Sequence, residues 1–222
     1  MKIENIKACV FDAYGTLFDV NSAAAKCKEK LGSKWEGFAN AWRTTQLEYT
    51  WLRSLMKKHK NFWEITEDSL DHTMETFKIK KEMRNELLNL YKKLSPYPEV
   101  EECLKGLKNK KIKIAILSNG TPDLLRGLVE SNNIQNYFND ILSIESVGIY
   151  KPDSKVYEMP IKKYNCKPEN ICFMSSNTWD VSGGGVFGYN AVWVNRFNKV
   201  FDKLSYKPKF VISNLKELLT II

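Results

Sequence analysis

Residues 6–18 of the chain read Ile-Lys-Ala-Cys-Val-Phe-Asp-Ala-Tyr-Gly-Thr-Leu-Phe. Residues 6–11 form a largely apolar run of strand length, and Asp12 follows it directly. Residues 12–16 then have the composition of a loop. In an open parallel sheet, ligands bind beyond the carboxyl ends of the strands, so a carboxylate at this position is a candidate functional group.

The second half of the chain alternates short apolar runs with helical patterns. We expect further strands over residues 112–117, 141–144, 171–174, 191–194 and 210–212. Helices are predicted over residues 99–109, from Pro122 onward, from Asp153 to Tyr164 and over residues 215–219. Strands that alternate with helices predict an α/β fold with a doubly wound, Rossmann-like parallel sheet.

A long block between the first strand and the rest of the sheet has helical periodicity only. It predicts helices over residues 22–31, 35–58, 62–77 and 81–94, with Asn21 as the cap of the first. Residues 95–98 read Ser-Pro-Tyr-Pro, which favours a rigid extended linker. We therefore expect a core domain of residues 1–18 and 96–222, with an inserted helical cap domain of residues 19–95.

Composition excludes several classes of protein. The chain has 222 residues, of which 43% are hydrophobic and 27% charged, as in folded globular proteins. The net charge of +8 comes mostly from lysines spread over helical segments, which favours solvated faces over a nucleic-acid site. Five cysteines without a CxxC pair predict reduced thiols and a cytoplasmic location. Without a signal region or a long apolar run, no membrane association is expected.

Polar residues follow each of the predicted central strands. The order is Asp12, then Ser118 and Asn119, then the stretch from Ser175 to Asp180, with Lys151 in a loop before a helix. Any one of these groups has an ordinary explanation in turn and cap chemistry. Together they predict a site in which Asp12 is a nucleophile, a lysine keeps it ionised, and a helix start holds an anion.

Five segments carry a resemblance to a known family. Residues 11–18, 117–120 and 150–152 resemble the haloacid dehalogenase superfamily. A segment made of residues 42–43 and 46–56, and the segment 175–180, resemble, more narrowly, the L-2-haloacid dehalogenases. The resemblance covers nearly the whole chain and implies a hydrolase. Tyr14 stands in place of an acid beside the nucleophile, and Ser175-Ser176-Asn177 stand where further carboxylates could be, so we expect no metal and no cofactor. The implied partner of the protein is a small anionic haloacid rather than nucleic acid or a membrane. A homodimer is compatible with the resemblance.

The resemblance also implies a reaction and a role for each matching residue. Asp12 would displace halide from the Cα of an (S)-2-haloalkanoic acid, and hydrolysis of the resulting ester would release an (R)-2-hydroxyalkanoic acid. The implied catalytic residues are Asp12, Thr16, Arg43, Lys151, Tyr157, Ser175, Asn177 and Asp180. The implied substrate-binding residues are Tyr14, Arg43, Leu47, Phe62, Ser118, Asn119 and Trp179. Arg43 would receive the halide, and Ser118 with the N–H of Asn119 would bind the carboxylate.

A phosphatase or phosphotransferase of the same superfamily is the alternative enzyme, and a basic nucleic-acid-binding module is the alternative from another class. Phosphatases of the superfamily place an Asp two residues after the nucleophile, where this chain has Tyr14. Two departures from the dehalogenase pattern stand out. Thr44 replaces a Gln that commonly follows the cap arginine, and Pro160 falls inside a predicted helix, where proline costs about 3 kcal/mol or produces a kink.

Residues 183–188 match the pattern GxGxxG, which occurs in dinucleotide-binding proteins. In those proteins the first glycine stands at the end of the strand, whereas Gly183 lies well beyond Met174. We therefore interpret these glycines as sites of close packing between a helix and a strand.

Overall fold

Six parallel strands form one sheet in the structure, a computed structural model that describes residues 2–222. The strands lie in the order β3-β2-β1-β4-β5-β6, which confirms the predicted doubly wound parallel sheet. The third strand covers residues 140–143 instead of the predicted 141–144. The bounds of the six strands are β1 Ala8–Phe11, β2 Lys113–Ser118, β3 Asp140–Ser143, β4 Ile171–Ser175, β5 Asn190–Val194 and β6 Phe210–Ile212.

Strand β1 is central and fully buried. Phe11 lies opposite Ile116 of β2 on one side and opposite Met174 of β4 on the other. All four residues of β1 have an exposed fraction of 0%. Because the three strands are parallel and in this register, the residues that follow them meet at one edge of the sheet.

Six helices precede β2 and four follow it. The first five, with two intervening 3₁₀ turns, form the insertion predicted between β1 and the rest of the sheet. Within residues 2–222, no helix combines the length and the apolar character needed to cross a membrane. The bounds are α1 Ser22–Lys26, α2 Lys28–Leu31, α3 Trp35–Leu55, α4 Phe62–Phe77, α5 Arg84–Tyr91, α6 Val100–Asn109, α7 Pro122–Ser131, α8 Ser154–Tyr164, α9 Thr178–Phe187 and α10 Leu218–Ile221.

Three predicted helices of the insertion differ from the structure at their ends. The helix predicted over residues 22–31 is divided at Cys27 into α1 and α2. The helix predicted over 35–58 ends at Leu55, and the one predicted over 81–94 begins as a 3₁₀ turn and ends at Tyr91. Helix ends are set by local hydrogen bonds that apolar periodicity does not encode.

The prediction that Asn21 caps the first helix is wrong. Its backbone already has helical angles, with φ −83° and ψ −12°, and its side chain makes no capping bond. Asp19 takes over this function: its Oδ1 accepts a hydrogen bond from the N–H of Asn21 at 2.9 Å. The hydroxyl of Ser22 donates to the carbonyl of Asp19 at 2.7 Å. An N-cap residue needs extended backbone angles to turn its side chain toward the helix, which Asn21 lacks.

Helix α8 continues through Pro160, from Ser154 to Tyr164. Asp153 caps it as predicted, since its carboxylate accepts a hydrogen bond from the N–H of Lys155 at 2.9 Å. The side chain of Tyr157, one turn before Pro160, is fully buried. The proline therefore leaves the position of Tyr157 intact, as expected.

The insertion leaves the core and returns to it at adjacent points. The N–H of Asp19 donates to the carbonyl of Ser95 at 2.9 Å, and Phe18 forms a β-bridge with Pro96. Close crossing points allow a helical insertion to lie over the carboxyl edge of the sheet.

The glycines of α9 confirm the packing interpretation of the GxGxxG pattern. A Cβ added to Gly184 would lie 2.8 Å from Cδ1 of Phe173 on β4. Phe173 is itself fully buried, with its ring packed against those of Tyr157 and Tyr189. A side chain at Gly184 therefore has no space without displacement of the helix.

We predict that Gly184→Ala lowers the free energy of unfolding by about 1–3 kcal/mol, because it overpacks the contact between α9 and β4. Gly127→Ala in α7 is the matched control, since nothing lies within 4 Å of its added Cβ. Alanine is the better helix former by up to about 1 kcal/mol, so this variant should match or exceed the wild type. Urea unfolding measures both, and equal stability of the two variants would contradict the interpretation.

Candidate active site

Asp12 continues β1 and lies against the end of β4. Its N–H donates to the carbonyl of Met174 at 2.9 Å, which extends the ladder by one residue. The side chain is 7% exposed. The loop that follows turns through Gly15, whose φ of +90° favours glycine, and brings Thr16 back toward the carboxylate.

The two oxygens of the Asp12 carboxylate have different surroundings. Oδ2 accepts hydrogen bonds from Asn177 Nδ2 at 2.8 Å, Thr16 Oγ1 at 3.0 Å and Ser175 Oγ at 3.5 Å. Oδ1 faces Lys151 Nζ at 3.3 Å. Oδ2 is thus held by three neutral donors, while Oδ1 has a single charged neighbour.

The three donors to Oδ2 are themselves held in place. Thr16 Oγ1 accepts from the N–H of Ser176 at 2.8 Å, and Ser175 Oγ accepts from the N–H of Asn177 at 3.1 Å. The Asn177 amide also donates to the carbonyl of Tyr14 at 3.2 Å. These backbone contacts leave the hydroxyl protons of Thr16 and Ser175 free to point at Asp12.

Lys151 joins two acids in the interior. Its Nζ lies 2.9 Å from Asp180 Oδ2 and 3.3 Å from Asp12 Oδ1, and its side chain is 0% exposed. The hydroxyl of Tyr157 donates to the other oxygen of Asp180 at 2.7 Å. A buried charge is tolerated only when it is paired and hydrogen-bonded, and this cluster meets both conditions.

Burial raises the pKa of Asp180 to about 6, and the negative charge of Asp12 acts in the same direction. The ammonium of Lys151 and the hydroxyl of Tyr157 oppose this rise. Burial, followed by the charge of Asp180, holds the pKa of Tyr157 well above its usual value. Tyr157 is therefore a neutral donor to Asp180 near neutral pH.

Ser118 and Asn119 lie at the end of β2, beside this cluster. The Oδ1 of Asn119 accepts a hydrogen bond from the N–H of Lys151 at 3.1 Å. Ser118 Oγ accepts from the N–H of Gly120 at 3.1 Å, so its own proton is free to donate. Both residues are buried.

Arg43 reaches this edge of the sheet from helix α3 of the insertion. Its Nη2 lies 3.4 Å from the carbonyl of Tyr14, two residues after Asp12. Its Nη1 donates to Gln46 Oε1 at 2.9 Å. The predicted residue of the insertion is thus next to the nucleophile loop.

Four of the predicted substrate-binding residues fall into two pairs, Tyr14 with Phe62 and Leu47 with Trp179. Tyr14 and Phe62 are buried, with ring centroids 5.1 Å apart. Leu47 and Trp179 line a cleft of about 370 Å³ that Arg43 also lines. The ring of Trp179 packs edge-on against Trp51, with centroids 5.4 Å apart.

Comparison with known proteins shows the family of the chain. The sequence profile of haloacid dehalogenase-like hydrolases matches residues 6–188. The chain belongs to this family. A relative named (S)-2-haloacid dehalogenase 1, from Pseudomonas sp. (strain CBS-3), is 40% identical over 219 residues, covering 97% of this chain and 96% of that protein.

Solved structures of the family have the same fold. A crystal structure described as a dehalogenase has a TM-score of 0.97 and 35% identity, and the alignment covers 99% of this chain and 98% of the other. The L-2-haloacid dehalogenase from Xanthobacter autotrophicus with chloropropionic acid covalently bound has a TM-score of 0.90 and 31% identity. That alignment covers 97% of each chain.

Sequence reasoning missed three buried polar residues of this dehalogenase-like hydrolase. Gln46, Thr66 and Tyr91 lie on three helices of the insertion and form a hydrogen-bonded cluster behind Arg43. The spacing of three residues between Arg43 and Gln46 places them on one helical face and could have revealed the first. Thr44, which stands where a Gln commonly follows the cap arginine, is exposed.

The two acids of the site, Asp12 and Asp180, both lie beside Lys151. Among residues 2–222, no group of three or more His, Cys, Asp and Glu side chains is placed to hold a metal ion. Tyr14 occupies the position of the second carboxylate of the superfamily phosphatases, and its burial raises the pKa of its hydroxyl well above the usual value.

We predict that one buried carboxyl group, that of Asp180, titrates with a midpoint near pH 6, because burial disfavours its charged form. Since the folded value lies above the unfolded one, the stability that Asp180 contributes at low pH is lost as the pH rises through about 6. Carbon NMR of aspartate-labelled protein measures the midpoint, and Asp180→Asn assigns the signal. A midpoint at the ordinary value for aspartate would contradict the prediction.

Proposed function

We propose that this protein hydrolyses (S)-2-haloalkanoic acids to (R)-2-hydroxyalkanoic acids through an ester on Asp12. The observation that carries the proposal is the asymmetry of the Asp12 carboxylate. Three neutral donors hold Oδ2, while Oδ1 faces the Lys151 ammonium. One oxygen is thus suited to attack, and the other to carry charge during hydrolysis of the ester. The names of the relatives support the same activity.

In the first step Oδ1 of Asp12 attacks the Cα of the substrate as the bond between Cα and halogen breaks. The halide leaves with the bonding electron pair, so the step needs no general acid. Lys151 keeps Asp12 ionised, and the donors on Oδ2 direct the free electron pairs of Oδ1 toward the substrate. Attack from the side opposite the halide inverts Cα, which converts the (S) substrate to the (R) product.

Two anion-binding groups orient the substrate for this attack. The free hydroxyl proton of Ser118 and the N–H of Asn119 bind the substrate carboxylate at the start of the segment that leads into α7. Arg43 receives the departing halide from the side of the insertion. With one anion fixed on each side of Cα, one enantiomer presents its backside to Oδ1.

In the second step water attacks the carbonyl carbon of the Asp12 ester. The negative charge that develops on Oδ2 is stabilised by the side chains of Thr16, Ser175 and Asn177, which already point at that oxygen. Asp180 accepts a proton of the water, and its pKa of about 6 suits a base near neutral pH. Collapse of the tetrahedral intermediate breaks the bond between Cγ and Oδ1 of Asp12, and the departing product oxygen takes up the proton from Asp180. Tyr157 and Lys151 hold Asp180 in position for this role.

The apolar wall keeps water away from the nucleophile during the first step. Tyr14 and Phe62 are buried above Asp12, and Leu47 and Trp179 line the adjoining cleft. A carboxylate that has lost part of its hydration shell attacks carbon more readily. Tyr14 thus supplies an aromatic surface where the phosphatases of the superfamily need an acid.

We propose that residues 1–18 and 96–222 form the core domain and that residues 19–95 form the cap domain. The adjacent crossing points at Asp19 and Ser95 and the position of Arg43 on α3 support this division. A cap separated from the core in this way can carry the halide-binding group to and from the nucleophile.

We also propose a cytoplasmic location, which the five free cysteines support. A homodimer is the assembly we expect. Leu52, Leu55 and Met56, at the C-terminal end of α3, are 50%, 80% and 60% exposed and offer an apolar surface for it. Sedimentation velocity of the purified chain measures its mass in solution.

The experiment that tests the proposed function is a single turnover of (S)-2-chloropropanoate with excess enzyme in ¹⁸O-water. We expect chloride release, an (R)-2-hydroxy product that carries ¹⁶O from Asp12, and ¹⁸O in the Asp12 carboxylate. Mass spectrometry of the product and of the Asp12 peptide measures the label, and chiral chromatography measures the configuration.

Asp12→Asn is the control for this experiment, because an amide oxygen is a poor nucleophile in a side chain of the same size. We expect it to fold and to release no chloride. Label that appears in the product on the first turnover would show direct attack by water and would contradict the ester. Equal turnover of the (R) enantiomer would contradict the proposed orientation.

We predict full halide release after exhaustive treatment with EDTA and no stimulation by Mg²⁺. Mg²⁺ prefers a shell of oxygen ligands, and the two acids of this site are already paired with the Lys151 ammonium. A divalent ion would have to displace a buried cation of the same sign. Loss of activity on chelation that Mg²⁺ restores would argue for a phosphatase-like site instead.

A further inference from the structure

We infer that Gln46 is a positioning residue for Arg43, and that its side-chain amide holds the guanidinium where the halide departs. The inference rests on the proposed function, in which Arg43 receives the halide. Gln46 lies one helical turn after Arg43 on α3 and is 1% exposed. A polar side chain this deeply buried must have its hydrogen-bonding groups satisfied within the protein.

The amide of Gln46 has a partner for each of its ends. Nε2 donates to Thr66 Oγ1 at 2.7 Å and to the hydroxyl of Tyr91 at 3.0 Å. Oε1 accepts from Arg43 Nη1 at 2.9 Å. The residue therefore connects helices α3, α4 and α5 and directs its oxygen toward the arginine.

Thr66 determines which end of the amide faces Arg43. The hydroxyl of Thr66 donates its single proton to the carbonyl of Phe62 at 2.7 Å. It can then only accept from Gln46, so the NH₂ group must face Thr66. The carbonyl oxygen is left to face Arg43, and a hydrogen bond from a charged donor is stronger than one between neutral groups.

The Oε1 of Gln46 restricts the conformation of Arg43, which has a long and flexible side chain. Arginine loses much rotamer freedom when it is ordered, and an arginine ordered before substrate binds does not incur that cost during the reaction. With Nη1 held by Gln46, Nη2 lies 3.4 Å from the carbonyl of Tyr14. The ring of Tyr91 stacks on that of Tyr14 with centroids 5.8 Å apart, so the cluster also supports the pocket wall.

The first test compares two matched substitutions on α4, Thr66→Val and Thr73→Val. Both threonines are buried, and both donate to the carbonyl four residues earlier, but we place only Thr66 in the Gln46 cluster. We expect similar losses of stability in urea. Thr66→Val should lower kcat for chloride release about threefold to tenfold, the size of one lost hydrogen bond, and Thr73→Val should leave it unchanged.

The second test is a double-mutant cycle with Arg43→Ala and Gln46→Met. Arg43→Ala should lower kcat by roughly 10²–10³, as expected for loss of a preorganised charge, and Gln46→Met by about tenfold. If Gln46 acts through Arg43, the double variant should fall within about twofold of Arg43→Ala. Purely structural damage would instead multiply the two losses.

The outcomes separate the inference from the function on which it rests. Multiplied losses in the cycle, or equal kcat for Thr66→Val and Thr73→Val, would overturn the role of Gln46 alone. A wild-type enzyme that releases no halide would overturn the proposed function and this inference together. An unchanged kcat in Arg43→Ala would likewise overturn both the halide role of Arg43 and the inference.

Discussion

The ammonium of Lys151 is the charge on which the rest of the site depends. Two carboxylates lie within 3.3 Å of it in the interior of the protein. Without the cation, burial and mutual repulsion would drive at least one of the acids to its neutral form. The ammonium pairs with both Asp12 and Asp180, and the hydroxyl of Tyr157 donates to the remaining oxygen of Asp180. The surrounding donors then have a fixed anion to organise around.

The backbone of the nucleophile loop is where the insertion meets the core. The carbonyl of Tyr14 accepts from Arg43, which belongs to the insertion, and from Asn177, which belongs to the core. The proposed chemistry is divided in the same way. Residues of the core hold and hydrolyse the ester, whereas the insertion supplies the group for the leaving halide. A displacement of the insertion would therefore affect the first step and leave the apparatus of the second intact.

The sequence predicts the part of the site that follows from topology. Apolar runs identify β1, β2 and β4, and in a parallel sheet their carboxyl ends meet, so Asp12, Ser118 and Ser175 are expected to lie together. The topology of the sheet does not predict which side chains meet between the inserted helices. Gln46, Thr66 and Tyr91 meet because three helices are rotated toward one another, and periodicity in each helix leaves that mutual rotation open. The cap of α1 was mispredicted because capping depends on backbone angles rather than on residue type alone.

The central position of β1 has a consequence for how the chain reaches its native state. Asp12 and Lys151 are 139 residues apart in sequence. The whole insertion lies between β1 and β2, so it is synthesised before the strand that pairs with β1. Helices α3 and α4 are neighbours in sequence and make local contacts that form quickly, whereas closing a long loop to pair β1 is slow. A chain that ends before residue 113 therefore contains β1 but neither of the two strands that pair with it, and it lacks the Lys151 that lies beside Asp12. Such a chain has an apolar strand without partners and only part of the site.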